Sequence, residues 1–160
     1  MTDPKKNDSY ISSYTDVADS DWFAQSVKYL SSIGIVQGYP EGDFRPDNPI
    51  TRAEFASVIS KYGRADSSLA DKFADIEGHW AAAYINNVAA EGWINGYSDG
   101  SFRPDEYLTR AEIVTIINRI LKRTAQLEDI QNPEQLYTDI DESHWAYADI
   151  IEASSGRKPD

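Results

Sequence analysis

The chain has 160 residues, enough for one compact domain of ordinary size, and its 27 acidic against 15 basic side chains leave a formal charge of −12. That field repels phosphate backbones and anionic lipid headgroups, which excludes nucleic acid as a partner. The absence of cysteine removes disulfides, thiolate nucleophiles and zinc–thiolate sites while leaving the redox compartment open, and only two histidines remain for acid–base or metal chemistry.

Residues 1–13 are polar and expected to be flexible. They lack the apolar stretch of a signal peptide, so an export signal is absent from this chain or already removed. Tyr14-Thr15-Asp16-Val17 is an aromatic-x-Asp-aliphatic lead-in. Trp22 then opens a helix with Phe23, Val27, Leu30 and Ile33 at helical spacing and Gly34 as its C′ residue. The glycines and prolines between Gly38 and Pro49 make an ordered loop that continues neither neighbouring helix. At Ile50-Thr51-Arg52-Ala53-Glu54-Phe55 a second helix starts, with Thr51 as N-cap, Glu54 closing a capping box, and Ile50 stapled to Phe55. Its apolar side is Phe55, Val58, Ile59 and Tyr62, and a polar connector follows.

The same series then recurs at a constant offset of 58 residues, Trp22 falling on Trp80. Gly34 falls on Gly92, Gly38-Tyr39 on Gly96-Tyr97, and Phe44-Arg45-Pro46-Asp47 on Phe102-Arg103-Pro104-Asp105. Thr51-Arg52-Ala53-Glu54 falls on Thr109-Arg110-Ala111-Glu112, and Phe73-Ala74-Asp75-Ile76 supplies the second lead-in. Tyr84, Ile85 and Val88 mark the first helix of this copy; Ile113, Ile116, Ile117 and Ile120 mark the second. A third lead-in, Tyr137-Thr138-Asp139-Ile140, is followed by His144-Trp145-Ala146 but by neither the Gly-Tyr turn nor Thr-Arg-Ala-Glu. The expected division is a flexible segment 1–13, a first module 14–63, a linker 64–72, a second module 73–122, a linker 123–136, a truncated third module 137–156 and a tail 157–160. Repeat units bury their faces against neighbours, so the helix after Trp145 should complete the core.

Asp-aliphatic, Trp, Gly-x-aliphatic-x-Gly-Tyr, Gly-x-Phe-Arg-Pro and Thr-Arg-Ala-Glu in this order resemble the S-layer homology module, from Tyr14 to about Gly156. The resemblance implies an all-α fold of helix-loop-helix repeats in a pseudo-threefold spindle around a central three-helix bundle. It also implies grooves that hold cell-wall polymer, often a pyruvylated secondary polysaccharide, with the Arg of Thr-Arg-Ala-Glu on the acidic group. The third copy departs from the pattern, lacking the loop and the Arg.

Thr51 and Glu54 are explained by capping alone. Arg52 and Arg110 are not, since each stands at the first position of a helix, where the macrodipole disfavours a cation by roughly 0.3 to 1 kcal/mol. Free N–H groups beside a guanidinium suit a carboxylate or ketal acid. The competing reading is a structural pair with Asp47 or Asp75. On the dipole argument, replacing either arginine by Ala should change stability little or raise it by a few tenths of a kcal/mol. Trp22, Trp80 and Trp145 are expected to begin their helices and pack into the core, with sugar stacking as the alternative. Tyr39 and Tyr97 either line a groove or plug the loop, and Arg45 and Arg103 are expected to stack across it. Asp16, Asp75 and Asp139 cap or brace the lead-in, or accept sugar hydroxyls.

Three matches to other chemistries fail on their context. Gly96-Tyr97-Ser98-Asp99-Gly100 fits a nucleophile elbow, but an elbow needs a strand before and a helix after, whereas Phe102-Arg103-Pro104 follows here and Pro40 replaces the serine in the first copy. Read as an EF-hand, the same loop puts Tyr97 among the calcium ligands, and the first copy ends in Asn48 where a bidentate Glu belongs. His79 and His144 correspond to Asp21, which favours a helix-start role over a metal pair.

The resulting expectation is a cell-wall anchoring module at the bacterial cell surface, without catalysis, cofactor, metal or membrane span. Its ligand set would be Arg52, Arg110, Tyr39, Tyr97, Trp22, Trp80, Trp145, Asp75 and Asp139. The partner would be cell-wall polysaccharide or peptidoglycan. Because the chain is strongly acidic, one alternative is a cationically modified peptidoglycan. Another is a structural self-assembly role, a homo-oligomer in which a partner chain completes the truncated third module.

Overall fold

The computed structural model describes residues 14–63, 69–124 and 137–155. The segment 1–13, the tail 157–160 and most of both linkers lie outside the described residues. The protein is all-helical: among the described residues there is no strand, only an isolated antiparallel bridge between Thr51 and Tyr107. No described helix is long and apolar enough to cross a membrane.

The chain forms two compact units, Met1–Pro49 and Ile50–Asp160. This division falls inside the first sequence repeat, which places its loop in one unit and its second helix in the other. The first unit holds α1 (Ala24–Ser32), built on a small core of Val17, Ala24 and Val27 with Tyr14, Phe23 and Phe44 against it. Gly34, at φ +73°, ends α1 in a left-handed turn, its N–H on the Ser31 carbonyl and that of Ile35 on Leu30. This is the Schellman closure that the glycine signals.

The second unit holds α2 (Arg52–Ile59, with a 3₁₀ turn Ser60–Tyr62), α3 (Ala82–Ala90), α4 (Arg110–Ile120) and α5 (Tyr147–Ser154). Helix α2 packs on α3, and α5 packs on α4. Its main core gathers Ala53, Ala56 and Ile59 from α2 with Ile85 and Val88 from α3, and adds Ile76, Ile94 and Phe102 from the segments between. Both capping boxes form. Thr51 Oγ1 accepts from the Glu54 N–H while Glu54 accepts from the Thr51 N–H at 2.8 Å, and Thr109 and Glu112 repeat the exchange. Helix α5 buries Tyr147, Ile150 and Ile151, and Asp149 accepts from Thr115 Oγ1 and Asn118 Nδ2 of α4. The third repeat thus contributes a packed helix.

The tryptophans differ from expectation. Trp22, Trp80 and Trp145 are 93%, 60% and 64% exposed. Each helix begins two residues later, at Ala24, Ala82 and Tyr147. The tryptophan therefore sits in the preceding turn, off the stripe that the helix buries. Tyr62 and Ile117 also lie outside the core. His79 and His144 have the helix-start role, their Nδ1 atoms accepting the N–H groups of Ala81 and Ala146.

Candidate functional site

The two Gly-Tyr loops share one construction. Asp75 accepts the N–H groups of Phe102 and Arg103 at 2.9 and 2.7 Å, and Asp16 does the same for Phe44 and Arg45. These bonds hold Arg45 and Arg103 at φ +58° and +57°, a left-handed backbone that side chains larger than glycine seldom adopt. Each guanidinium carbon then lies 4.0 Å from a tyrosine ring centroid, Arg45 over Tyr39 and Arg103 over Tyr97. Burial pushes the Asp75 carboxyl up, but the two N–H bonds outweigh it and the group titrates below its ordinary range. The Phe44 N–H, followed by that of Arg45, lowers Asp16 in the same way. Asp99 is held well below the carboxylate range by the hydroxyl and N–H of Ser101 and by Arg103.

Gly96 is required by close approach. A Cβ there would stand 2.3 Å from Phe73 Cε1 and 2.7 Å from the Ser101 carbonyl. Thus the lead-in aromatic seats directly on the loop backbone.

The two motif arginines part company. Arg52 is 4% exposed, its Nε donating to the Phe102 carbonyl at 2.8 Å and its Nη2 to the Asn95 carbonyl at 3.0 Å. Its guanidinium carbon is 4.8 Å from the Tyr97 ring centroid and 4.7 Å from that of Phe102. The nearest carboxylate is Glu112, 3.8 Å from Nη1, so the partner is neither Asp47 nor Asp75. A buried arginine that satisfies two loop carbonyls is a stabilising group. The expectation that its removal is neutral is corrected accordingly. Arg110, at the same place in the second motif, is exposed.

Arg52 lines an open pocket of about 190 Å³ in the second unit, with Tyr97, Glu112, Thr115, Arg119 and Trp145 among its walls. Of the residues singled out from sequence, the structure brings together Arg52, Tyr97 and Trp145 here. Trp80 packs near His79 and Tyr84, and Trp22 near Phe23. Tyr39 lies in the first unit under Arg45, Asp75 braces the loop, and Asp139 is exposed. The repeated motifs do not mark the α4 wall of this pocket. Glu112, Thr115, Ile116 and Arg119 stand at i, i+3, i+4 and i+7, one helix face on which polar groups interrupt the apolar spacing. That interruption was the available signal. The Asn95 carbonyl, being backbone, left none.

The fold and pocket define an all-helical repeat protein in which an arginine of one repeat is seated in the loop of the next. The S-layer homology domain matches residues 13–56 and 72–114, and the chain belongs to that family. It is 40% identical over 156 residues to cell surface glycoprotein 1 of Acetivibrio thermocellus, covering 89% of this chain and 6% of that protein. It is 41% identical over 145 residues to the cellulosome-anchoring protein of the same organism, covering 87% and 32%. With the surface layer protein of Brevibacillus choshinensis it shares 37% over 103 residues, covering 61% and 9%. The chain therefore spans at most about a third of the length of these relatives.

Proposed function

We propose that this chain is a non-covalent anchoring module at the bacterial cell surface. It holds an acidic secondary cell-wall polysaccharide, with a pyruvylated sugar as the recognised unit, and performs no catalysis. The observation that carries the reading is the Arg52 pocket. There, two carbonyls fix the guanidinium through Nε and Nη2, while Nη1 makes no hydrogen bond among the described residues. A fork held in this way offers its remaining donors to a carboxylate without having to be ordered first.

Arg119 adds a second cation to the lining, and Trp145 adds an exposed aromatic face of the kind on which a sugar ring stacks. In a chain of charge −12 this makes the attraction to an anion local rather than long-ranged. The names of the relatives, among them a cellulosome-anchoring protein and a surface layer protein, support the same location and role. The three-part spindle, with α5 as the third central helix, and the module boundaries 14–63, 73–122 and 137–156 belong to the same proposal.

Sedimentation with purified wall, before and after removal of the secondary polymer, tests it. Wild type should pellet only with unstripped wall. Arg119→Ala and Trp145→Ala, which alter exposed lining, should each weaken pelleting with unchanged melting. Arg52→Lys should weaken it too, because a point charge replaces a planar fork. Equal pelleting with stripped wall would favour the cationic peptidoglycan and overturn this assignment.

A further inference from the structure

An asparagine deamidates when its side chain is accessible and the next backbone N–H is free to lose its proton and attack the side-chain carbon. Asn86, Asn87 and Asn118 are buried in α3 and α4, where the following N–H is committed to the helix. Asn48 is exposed, but Pro49 follows and has no N–H. Asn95 differs from all of these. It is exposed, Gly96 follows, and among the described residues no group accepts the Gly96 N–H.

The fold itself requires that glycine, because a Cβ would stand 2.3 Å from Phe73 Cε1. Having no side chain, it also leaves the approach to Asn95 Cγ uncrowded. The carbonyl of the same peptide unit accepts Arg52 Nη2 at 3.0 Å. A cation on that oxygen stabilises the negative charge that the unit takes on when Gly96 N gives up its proton. The loop of the first repeat has Gln37 before Gly38. A glutamine would have to close a six-membered ring, which forms far more slowly than the five-membered ring of asparagine.

We propose that Asn95 is a site of spontaneous deamidation, and that the carboxylate formed there pairs with Arg52 and switches off its pocket. Gly96 N, deprotonated, attacks Asn95 Cγ. The new C–N bond closes a succinimide, the bond to the side-chain nitrogen breaks, and that nitrogen leaves with the proton as ammonia. Water then opens the ring and is the only reagent consumed. Addition at Cγ gives aspartate. Addition at the main-chain carbonyl carbon gives isoaspartate, in which the carbon whose oxygen Arg52 held becomes a free carboxylate. Either product sets an anion against the cations Arg52 and Arg119 that line the pocket. Isoaspartate also lengthens the main chain by a methylene beside the close contact of Gly96. The loss of ligand rests on the anchoring reading, whereas the covalent change does not.

The test ages the full chain by several days of warm, mildly alkaline incubation and separates the product by its added negative charge on anion exchange. Peptide mass spectrometry should place the exchange of amide for acid at Asn95, with ammonia released to match. Asn95→Gln, aged alongside, should show no such change in this loop. In the separated product the new carboxyl, followed by NMR, should titrate below the ordinary carboxylate range, as a neighbouring cation demands. The product should pellet with unstripped wall about tenfold or more weakly than unaged chain of the same batch. Aged Asn95→Gln should pellet as its own fresh sample does. Aged wild type with Asn95 intact overturns the proposal. So does a product whose carboxyl titrates at the ordinary value, or one that pellets like the unaged chain. If unaged wild type itself fails to pellet, the anchoring reading falls and the switch with it, while the mass and titration results still decide the chemistry.

Discussion

Arg52 Nε donates to the carbonyl of Phe102 at 2.8 Å, tying the first turn of α2 to a loop fifty residues further along the chain. The bond replaces water at a carbonyl whose own side chain is fully buried. One guanidinium therefore seals the loop of the second repeat and forms part of the pocket beside it.

The two arginines of the repeated motif should differ in what they contribute to stability. Arg52→Ala leaves the Phe102 and Asn95 carbonyls without their donor and should cost about 1 to 3 kcal/mol. Arg110→Ala, at an exposed position, should stay within about 0.5 kcal/mol in dilute solution. Thermal melts of the two variants check this, and equal responses would contradict the difference in burial.

Gly96 is held by contact on two sides. Gly96→Ala brings a Cβ to 2.3 Å from the Phe73 ring and 2.7 Å from a backbone carbonyl, and only the ring can move. The expected loss is about 1 to 3 kcal/mol, in the range of other overpacked sites. Ser98→Ala, on the exposed part of the same loop, serves as the control and should leave the denaturant midpoint in place.

Acid should loosen the loops. Asp16, Asp75 and Asp99 all titrate below the ordinary value in the folded chain. Their contribution is therefore complete above the unfolded carboxylate value of about 3.9 and is lost as pH falls through the lower folded values. Stability measured from pH 6 downward should hold until about that value and then fall. Asp75→Asn, with no charge to lose, should begin less stable and show a shallower fall. A variant with the wild-type slope would show that the N–H bonds of Phe102 and Arg103 do not depend on the charge.

Much of this was written locally. The capping boxes at Thr51 and Thr109, the glycine closures at Gly34 and Gly92, and the stacking of Arg45 and Arg103 follow from short-range geometry, in which a few neighbouring residues decide the outcome. The repeat made those local signals unambiguous by stating them twice, and with them the helical class and the family. What the sequence could not distinguish is the pair Arg52 and Arg110, identical in motif and in cap. Their environments separate in the fold, where Arg52 enters the loop of the second repeat and Arg110 is exposed. Similarly, Trp145 looked like a core residue by type, but α5 starts two residues beyond it and leaves it at the rim of a pocket. Burial and donor–acceptor pairing between distant segments are properties of packing. A motif fixes which groups a residue can offer, and only the tertiary fold decides which partner, protein or ligand, stands in front of them.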